Sequence, residues 1–416
     1  MKPPVGVLVV GGGPAGLMAA VTAAQTGASV VLVERLPRPG TKLVATGGGR
    51  CNLTNRLSKE DCLARFGKQG RFMRTALDTL DAAGLRAFFS SIGVETHCTD
   101  RFHVFPVSES AVDVRDALLA CCHTLRIEVH AAAAVTALTT CEGGVTGVET
   151  SGGPLRALTV ILAAGGCAWP ALGSNGSGFA LAEDAGHAVV PPVPALVPLV
   201  TQQSWPHRCA GIVIPAALLQ ISLPKKPRTT VTGDLLFTHR GLSGPAALDL
   251  SGEVARHLAE TGKPVPVRVH MTPETRAETW SETIGAWRTG HPRRLVRNLV
   301  SLQLPHSLAD VACAETGISA DLRAAELPRV TQRRLAEWFS GVIVDIVDTE
   351  GFKKAMVSAG GVSTREVNPR TMESRLVKGL FFAGEILDID GPCGGYNLQW
   401  AFSSGMLAGK SAAQTL

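Results

Sequence analysis

The sequence predicts an α/β fold in which a Rossmann-type domain, split between the two ends of the chain, carries an inserted β-rich domain and a small helical subdomain. Three observations lead to this prediction. A strand–glycine turn–helix–strand unit opens the chain, glycine-rich segments after buried strands close it, and the middle is punctuated by prolines. With 416 residues, of which 45% are hydrophobic and 18% charged, the chain is expected to form two or three globular domains.

A glycine-rich turn near the N-terminus is typical of a dinucleotide-binding site. A buried strand runs directly into a G-x-G-x-x-G motif whose glycines are Gly11, Gly13 and Gly16. Gly11 is expected to make the tight turn, Gly13 to let a pyrophosphate approach the backbone, and Gly16 to let helix and strand pack closely. Pro14 and Ala15 belong to the expected cofactor site, and the helix that begins at Ala15 would turn its N-terminal N–H groups toward the phosphates. A tight turn without a ligand is the alternative.

The acidic residue at the end of the second strand indicates which nucleotide binds. Residues 15–26 form an apolar stretch of helix length, and residues 29–33 form a strand that ends at Glu34. The Glu34 carboxylate is expected to accept hydrogen bonds from an adenosine ribose, and an acid here disfavours a 2′-phosphate. The motif therefore favours FAD or NAD over NADP, and Arg35 is included in the expected cofactor site.

Composition argues against several other classes of protein. The single Tyr and 13 Phe argue against an aromatic platform for single-stranded nucleic acid, and the net charge of +5 permits an anionic partner without requiring one. The ten cysteines include no C-x-x-C pair, so no metal site is predicted, and reduced thiols in a cytoplasmic protein are expected. No apolar run reaches the roughly 18 residues of a membrane helix.

The order of the segments predicts one nucleotide-binding domain interrupted by an insertion. Both ends of the chain resemble pieces of a nucleotide fold, and the middle does not. The expected segments are the first part of the FAD-binding domain (1–190), the inserted β-rich domain (191–270), a helical insert (271–339), a return strand of the β-rich domain (340–356) and the second part of the FAD-binding domain (357–416).

A second glycine-rich segment, residues 40–55, directly follows the expected ribose acid. Its consecutive glycines leave backbone N–H groups without side chains that would block a ligand, and Arg50 and Asn52 add donors. The segment is expected to lie along the pyrophosphate and the flavin edge, with a solvated loop as the alternative. The expected cofactor contacts here are Lys42, Gly48, Gly49, Arg50, Cys51 and Asn52.

Two later segments complete the expected cofactor site. One follows the buried strand 159–163, and the other is the C-terminal run of residues 379–409, in which a strand is followed by a glycine pair and a helix. The N-terminus of that helix is expected to face the flavin pyrimidine, where negative charge accumulates on reduction. The expected contacts are Ala164, Gly165, Gly384, Glu385, Asp390, Gly395, Tyr396 and Asn397. Asp388 and Asp390 would bind ribityl hydroxyls or cap the loop.

Five sequence blocks keep one order between residue 5 and about residue 409: GGGPAGLMAA, TGGGRCNLTN, LLFTHRGLSGPAALDLS, SAGGVSTREVNPRTMES and GLFFAGEILDIDGPCGGYNLQWAFSSG. Together they resemble the HI0933-like flavoprotein family, also called the BaiN/RdsA family of NAD(P)/FAD-dependent oxidoreductases. The resemblance implies an FAD-binding domain assembled from both chain ends and the reduction of an activated C=C bond by flavin. Members are linked to dihydrouridine formation in large-subunit ribosomal RNA and to bile-acid enone reduction, so ribosomal RNA or a small-molecule enone is the expected substrate.

Reduction of an activated alkene requires a group that stabilises the developing enolate and a source of one proton. The candidate catalytic residues are Arg50, Cys51, His239, Arg240, Cys393 and Tyr396. Arg50 or the adjacent pair His239 and Arg240 is expected to stabilise the enolate oxygen, and the two cysteines and Tyr396 are candidate proton donors. In the alternative reading the cysteines pack as small hydrophobes, Tyr396 caps its helix and His239 packs in a loop.

The electron donor and any RNA contacts leave alternatives open. Only one complete G-x-G-x-x-G occurs, so NADH or NADPH is expected to bind transiently over the flavin, unless another protein supplies the electrons. Basic residues in the insertion would contact RNA phosphates or, as the favoured alternative, form a solvated face. They are Arg288, His291, Arg293, Arg294, Arg297, Arg333 and Arg334, with Lys225, Lys226 and Arg228. A non-catalytic FAD-binding redox sensor or RNA-binding protein is a further hypothesis.

Overall fold

A computed structural model describes residues 3–99, 102–224 and 227–416. Lys225 and Lys226, which were considered for RNA contact, lie outside the described residues. The strands are β1 Val5–Val10, β2 Val30–Val33, β3 Thr54–Asn55, β4 Thr96–Cys98, β5 His103–Pro106, β6 Glu128–His130, β7 Val135–Cys141, β8 Gly144–Thr150, β9 Gly153–Leu162, β10 Val189–Ala195, β11 Leu199–Thr201, β12 Val213–Ile221, β13 Thr229–Thr238, β14 Gly241–Ser243, β15 Val265–His270, β16 Val342–Thr349, β17 Val357–Val362 and β18 Leu380–Phe382.

The helices lie mainly between the parallel strands and in the insertion. They are α1 Pro14–Gln25, α2 Thr41–Val44, α3 Lys59–Arg65, α4 Gly70–Thr79, α5 Ala82–Ser91, α6 Ala111–Thr124, α7 Ser177–Asp184, α8 Trp205–Arg208, α9 Pro245–Thr261, α10 Ala277–Gly290, α11 Val296–Val300, α12 His306–Thr316, α13 Arg329–Gly341 and α14 Tyr396–Gln414. Within the described residues, none of these helices combines the length and apolar character needed to cross a bilayer.

The contacts divide the chain into a larger unit, residues 1–194 with 355–416, and a smaller unit, residues 195–354. The larger unit is built on a seven-stranded sheet in the order β6-β2-β1-β9-β8-β7, with β18 also paired to β9. Strands β6, β2, β1, β9 and β18 run parallel, as expected when helices connect them. Because β18 pairs with β9 in the same sheet as β1, the two chain ends form one Rossmann-type fold, and the predicted fold class is confirmed.

The smaller unit is a closed six-stranded antiparallel barrel with helices. Its strand order is β11-β14-β13-β12-β15-β16, and residues 277–341 supply four of the helices. The segment expected to form the inserted β-rich domain, residues 191–270, also contains the 17-residue helix α9, Pro245–Thr261. Pro245 stands in the first turn of that helix, where its missing N–H costs nothing. The division of the insertion into separate β-rich and helical domains stays a prediction.

The C-terminal helix α14 packs on the first helix α1 at backbone distance. A Cβ atom added to Gly405 would lie 2.3 Å from the carbonyl oxygen of Ala15, and one added to Gly409 would lie 2.3 Å from that of Ala19. The two glycines are four residues apart, so they lie on one helix face. Their missing side chains allow α1, which is buried from residue 15 to residue 23, to approach α14 this closely.

A buried histidine joins the segment after α7 to the hairpin-like segment before β18. The side chain of His187 is fully buried, its Nε2 lies 2.8 Å from Ser374 Oγ, and its Nδ1 lies 3.3 Å from Glu366 Oε2 without a well-directed hydrogen bond. Ser374 Oγ also accepts from the N–H groups of Leu376 and Val377 at 3.0 and 2.9 Å. Burial lowers the pKa of His187 and outweighs the opposing effect of Glu366, which favours the neutral ring.

We expect Gly409→Ala to lower the free energy of unfolding by about 1–3 kcal/mol, because the new methyl group must push α14 away from α1. Thermal unfolding of the purified protein measures the effect. Gly290→Ala is the matched control, because a Cβ atom there meets nothing within 4 Å and Gly290 is the exposed last residue of α10. Equal unfolding temperatures for the two variants would contradict the close helix contact.

His187→Leu is expected to destabilise the protein less at low pH than at neutral pH. In the unfolded chain this histidine takes up a proton near its ordinary pKa of about 6.5, whereas the buried ring resists protonation. The buried neutral ring of His187 therefore stabilises the wild-type protein fully above about pH 6.5, and this stabilisation is lost as the pH falls through the lowered pKa. Chemical unfolding at several pH values should show the gap between wild type and variant narrowing from neutral to acidic pH, and a constant gap would refute it.

Candidate cofactor and active site

The glycine turn between β1 and α1 leaves open space at one glycine and none at the other two. Gly11 has a φ of +102°, and a Cβ atom there would lie 2.5 Å from the carbonyl oxygen of Ala163. At Gly16 the added atom would lie 1.8 Å from the carbonyl oxygen of Gly11, whereas at Gly13 it would meet nothing within 4 Å. Helix α1 begins at Pro14 without a side-chain cap, so N–H groups of its first turn face this open space.

The Glu34 carboxylate fixes the glycine turn through hydrogen bonds to backbone N–H groups. Its Oε2 accepts from the N–H of Gly12 at 2.7 Å and its Oε1 accepts from the N–H of Leu36 at 2.7 Å. The carboxylate is buried at the end of β2, and these two backbone donors help to compensate its loss of hydration. Arg35 follows it in the chain and is exposed.

The second glycine-rich segment lies beside the first and presents open backbone. The N–H of Gly40 donates to the carbonyl oxygen of Gly12 at 2.7 Å. Gly48 and Gly49 have φ values of +68° and +89°, and added Cβ atoms there would meet nothing within 4 Å. The guanidinium carbon of Arg50 lies 4.5 Å from the centre of the Phe105 ring, and its Nη1 lies 3.3 Å from Glu109 Oε2.

The same segment is bonded to the loop that begins α14. Asn55 Nδ2 donates to the carbonyl oxygen of Gly394 at 3.0 Å. With its amide oriented to satisfy its neighbours, Asn52 accepts from the N–H of Gly395 at 3.1 Å. Gly395 has a φ of +84°, and a Cβ atom there would lie 2.6 Å from the backbone of Thr54, so only glycine fits this junction.

An ion pair and a serine connect four segments around the glycine turn. Lys42 Nζ lies 2.7 Å from Glu385 Oε2, and Glu385 Oε1 accepts from the N–H of Ser358 at 2.9 Å. Ser358 Oγ in turn accepts from the N–H groups of Cys167 and Ala168 at 2.7 and 3.1 Å. The Lys42 and Glu385 side chains are each 21% exposed, so this charge pair is largely shielded from water.

The segments after β9 and β18 complete the arrangement. Gly165, next to Ala164, has a φ of +73°, and Gly384 has a φ of +78° with its α-carbon against the side chain of Ala15. Asn397 bonds both the N–H and the carbonyl oxygen of Gly391 at 2.8 Å, which closes the loop containing Asp390. Asn397 therefore shapes this loop.

The family model described as the HI0933-like protein Rossmann domain matches residues 5–411. The chain belongs to this family. Its members are FAD-dependent oxidoreductases, so the predicted family and the expectation of a flavoprotein oxidoreductase are confirmed.

Two relatives span nearly the whole chain. A 3-dehydro-bile acid delta(4,6)-reductase of Clostridium scindens is 34% identical over 408 residues, which cover 98% of each protein. A ribosomal RNA dihydrouridine synthase of Escherichia coli is 30% identical over 405 residues, which cover 95% of each protein.

Solved structures with the same fold are more distant in sequence. An E. coli quinol fumarate reductase has a TM-score of 0.54 at 16% identity, with 100% of this chain and 71% of that chain covered. A 3-ketosteroid delta1-dehydrogenase from Sterolibacterium denitrificans has a TM-score of 0.53 at 12% identity, with both chains covered completely. These similarities concern the fold alone.

The open glycines fit the FAD that this family binds. Gly13 at the uncapped start of α1 leaves room for a pyrophosphate against backbone N–H groups, and Gly48 and Gly49 leave a second stretch of accessible backbone nearby. Lys42, in the neighbouring helix α2, is paired with Glu385 and links α2 to the segment after β18. The structure thus brings most of the expected cofactor residues of this HI0933-like chain together in the larger unit.

The candidate catalytic residues differ in their surroundings. Cys51 is fully buried, and burial raises the pKa of its thiol to about 12, which favours the alternative that it packs as a small hydrophobe. Tyr396 is buried and meets the ring of Phe66 edge-on at 6.0 Å, while Cys393 is half-buried. His239, with its neighbour Arg240, lies in the smaller unit, where both side chains are exposed in the turn between β13 and β14.

Sequence reasoning assigned no role to the hairpin of β4 and β5, although the structure places it at the same loops. Strand β5 pairs with β3, and its residue His103 lies opposite Asn55. Phe105 carries the Arg50 guanidinium, and Glu109 Oε1 lies 2.5 Å from His97 Nε2. The sequence signal that could have indicated these residues is the motif F-H-V-F, residues 102–105, in which a histidine stands between two phenylalanines.

Gly13→Ala and Gly16→Ala should fail for different reasons. Gly13 has a φ of −78°, which alanine adopts without strain, so its variant should unfold at the wild-type temperature without cofactor but bind FAD at least about tenfold more weakly. Gly16→Ala should lower the stability of the cofactor-free protein, because its methyl group meets backbone. Thermal unfolding without FAD and fluorescence titration with FAD measure the two effects. An unfolding temperature lowered equally in both variants would contradict the open space at Gly13.

Proposed function

We propose that the protein uses FAD to reduce a carbon–carbon double bond conjugated to a carbonyl group. The observation that carries this proposal is the pair of full-length relatives. The name of one describes reduction of a steroid double bond, and the name of the other describes saturation of the uracil ring, although the substrates are unrelated in size. A conjugated double bond is the feature that the two reactions share.

The arrangement of residues supports FAD as the redox group. In this proposal the glycine turn and the start of α1 hold the pyrophosphate, and Glu34 receives the ribose hydroxyls while it keeps its backbone bonds. The 40–55 segment and the loop before α14 border the flavin ring. When bound, reduced FAD supplies the hydride for the alkene.

The chain itself must stabilise charge and exclude water at the reacting bond. Arg50 is proposed to bind the carbonyl oxygen as negative charge develops on it, since its guanidinium is fixed over Phe105 next to the open glycines. Cys393 and Tyr396 stay candidates for contacts at the flavin loop, and His239 and Arg240 stay candidates for substrate contact. NADH or NADPH is the proposed electron donor, binding transiently.

Uracil in ribosomal RNA is the leading substrate, and a small-molecule enone is the second candidate. The basic residues of the insertion offer some support for RNA, because His291, Arg293, Arg294 and Arg297 are exposed. Arg333 is partly compensated by Glu337 at 3.7 Å, which weakens the support. A cytoplasmic location accords with either substrate and stays a prediction.

The purified protein should be yellow, and anaerobic NADH or NADPH should bleach its flavin absorption. Reoxidation should then follow the addition of either ribosomal RNA from a strain lacking the gene or a 3-oxo-Δ4 steroid, and the responding probe identifies the substrate class. Deletion of the gene should lower dihydrouridine in large-subunit ribosomal RNA if RNA is the substrate.

The Gly13→Ala variant serves as the control, because it should fold but retain less FAD, with bleaching and turnover reduced in proportion to its FAD content. A yellow protein that no pyridine nucleotide reduces would point to another donor, which dithionite reduction followed by the same probes would reveal. A reduced protein that neither probe reoxidises would contradict the proposed reaction and favour a non-catalytic flavoprotein.

A further inference from the structure

His103 lies against the main chain of the loop that begins α14. Its strand partner Asn55 donates a hydrogen bond to the carbonyl oxygen of Gly394 at 3.0 Å. A Cβ atom added to Gly394 would lie 3.7 Å from His103 Nε2 and 3.3 Å from the ring of Tyr396. The half-buried imidazole is therefore part of the wall formed by the proposed flavin loops.

Two aromatic rings lie near this imidazole. The ring of Phe102 stacks on it, with centroids 4.8 Å apart and planes 16° from parallel, and the centre of the Phe105 ring lies 6.2 Å away. Phe105 in turn supports the Arg50 guanidinium. Phe102 is 38% exposed, so this group of side chains is partly open to solvent.

Neither Cys51 nor Arg50 is suited to donate the proton. The Cys51 thiol is inaccessible and has a pKa of about 12, so it has little tendency to take up and release protons near neutral pH. Arg50 holds its protons too tightly to donate one, although its charge suits an enolate. An imidazole is the side chain that ordinarily exchanges a proton near neutral pH.

We propose that His103 is the catalytic residue that protonates the substrate, and that Phe102 positions the imidazole by stacking on it. This inference rests on the proposed function. As hydride from reduced FAD, the reductant, adds to the β-carbon of the C=C–C=O unit, the π electrons move toward the carbonyl and form an enolate. The imidazolium of His103 then gives its Nε2 proton to the α-carbon, the enolate becomes the saturated carbonyl compound, and a solvent proton restores the imidazolium.

The test separates the proton step from cofactor binding and reduction. His103→Asn is compared with His123→Asn, the same substitution at an exposed histidine of α6. Each protein is loaded with FAD, reduced anaerobically with dithionite, and mixed with unmodified ribosomal RNA or with a 3-oxo-Δ4 steroid. We expect both variants to keep the wild-type FAD content and flavin spectrum. Reoxidation should slow at least ~100-fold in His103→Asn only.

A chemical-rescue measurement distinguishes proton transfer from a merely structural role. His103→Ala should be similarly slow, and added imidazole should raise its reoxidation rate at least about tenfold without changing the rate of the His123→Asn protein. Phe102→Leu should slow reoxidation by less than about tenfold, since it removes the ring that stacks on the imidazole and keeps the proton donor.

The outcomes of this experiment discriminate between the two proposals. If wild type is reoxidised by a probe and His103→Asn reacts as fast, the role of His103 is overturned while the proposed reaction stands. Slow reoxidation of His103→Ala that imidazole does not raise also overturns it. If neither probe reoxidises wild type, the proposed reaction falls, and the role of His103 falls with it.

Discussion

The contact between the first and the last helix of the chain brings backbone against backbone, and the cofactor site depends on it. Gly405 and Gly409 let α14 approach α1, and Gly384 lies against Ala15 at the start of α1. The N–H of Gly384 donates to Ser404 Oγ of α14 at 2.9 Å. The position of the C-terminal loops is therefore set by how closely these two helices pack, and a methyl group at the contact would move them.

Carboxylates in the larger unit hold main-chain segments in place before any substrate is bound. Glu34 bonds two N–H groups around the glycine turn, and Glu385 bonds the N–H of Ser358 while it pairs with Lys42. A partly buried carboxylate without such donors would be costly, so each one fixes the distance between its partners. The turn can thus keep an open glycine at its centre and remain rigid, which is the preorganisation that binding a large anionic cofactor favours.

Two kinds of surface meet at the loops before α14. The glycine side consists of accessible backbone, which suits phosphates and a flavin edge, whereas the β3–β5 side consists of stacked rings and a guanidinium. The names of the two full-length relatives describe substrates of very different size, a bile acid and ribosomal RNA.

The sequence by itself determined the nucleotide-binding unit, because its features are local. Gly11, Gly13 and Gly16 lie in the short connection between β1 and α1, so backbone geometry alone assigns them different roles. The sequence blocks that resemble the family indicated which cofactor to expect. Local signals did not reveal helix α9, which begins at Pro245 within the segment expected to be β-rich.

Only the tertiary structure decided which distant side chains meet. The pairing of Lys42 with Glu385, the buried position of Cys51 and the placement of His103 beside Gly394 join residues that are far apart in the chain. Periodicity and glycine spacing report on neighbours along the chain, whereas these contacts depend on how the strands and helices pack. That is why the cofactor turn could be predicted from the sequence and the hairpin of β4 and β5 could not.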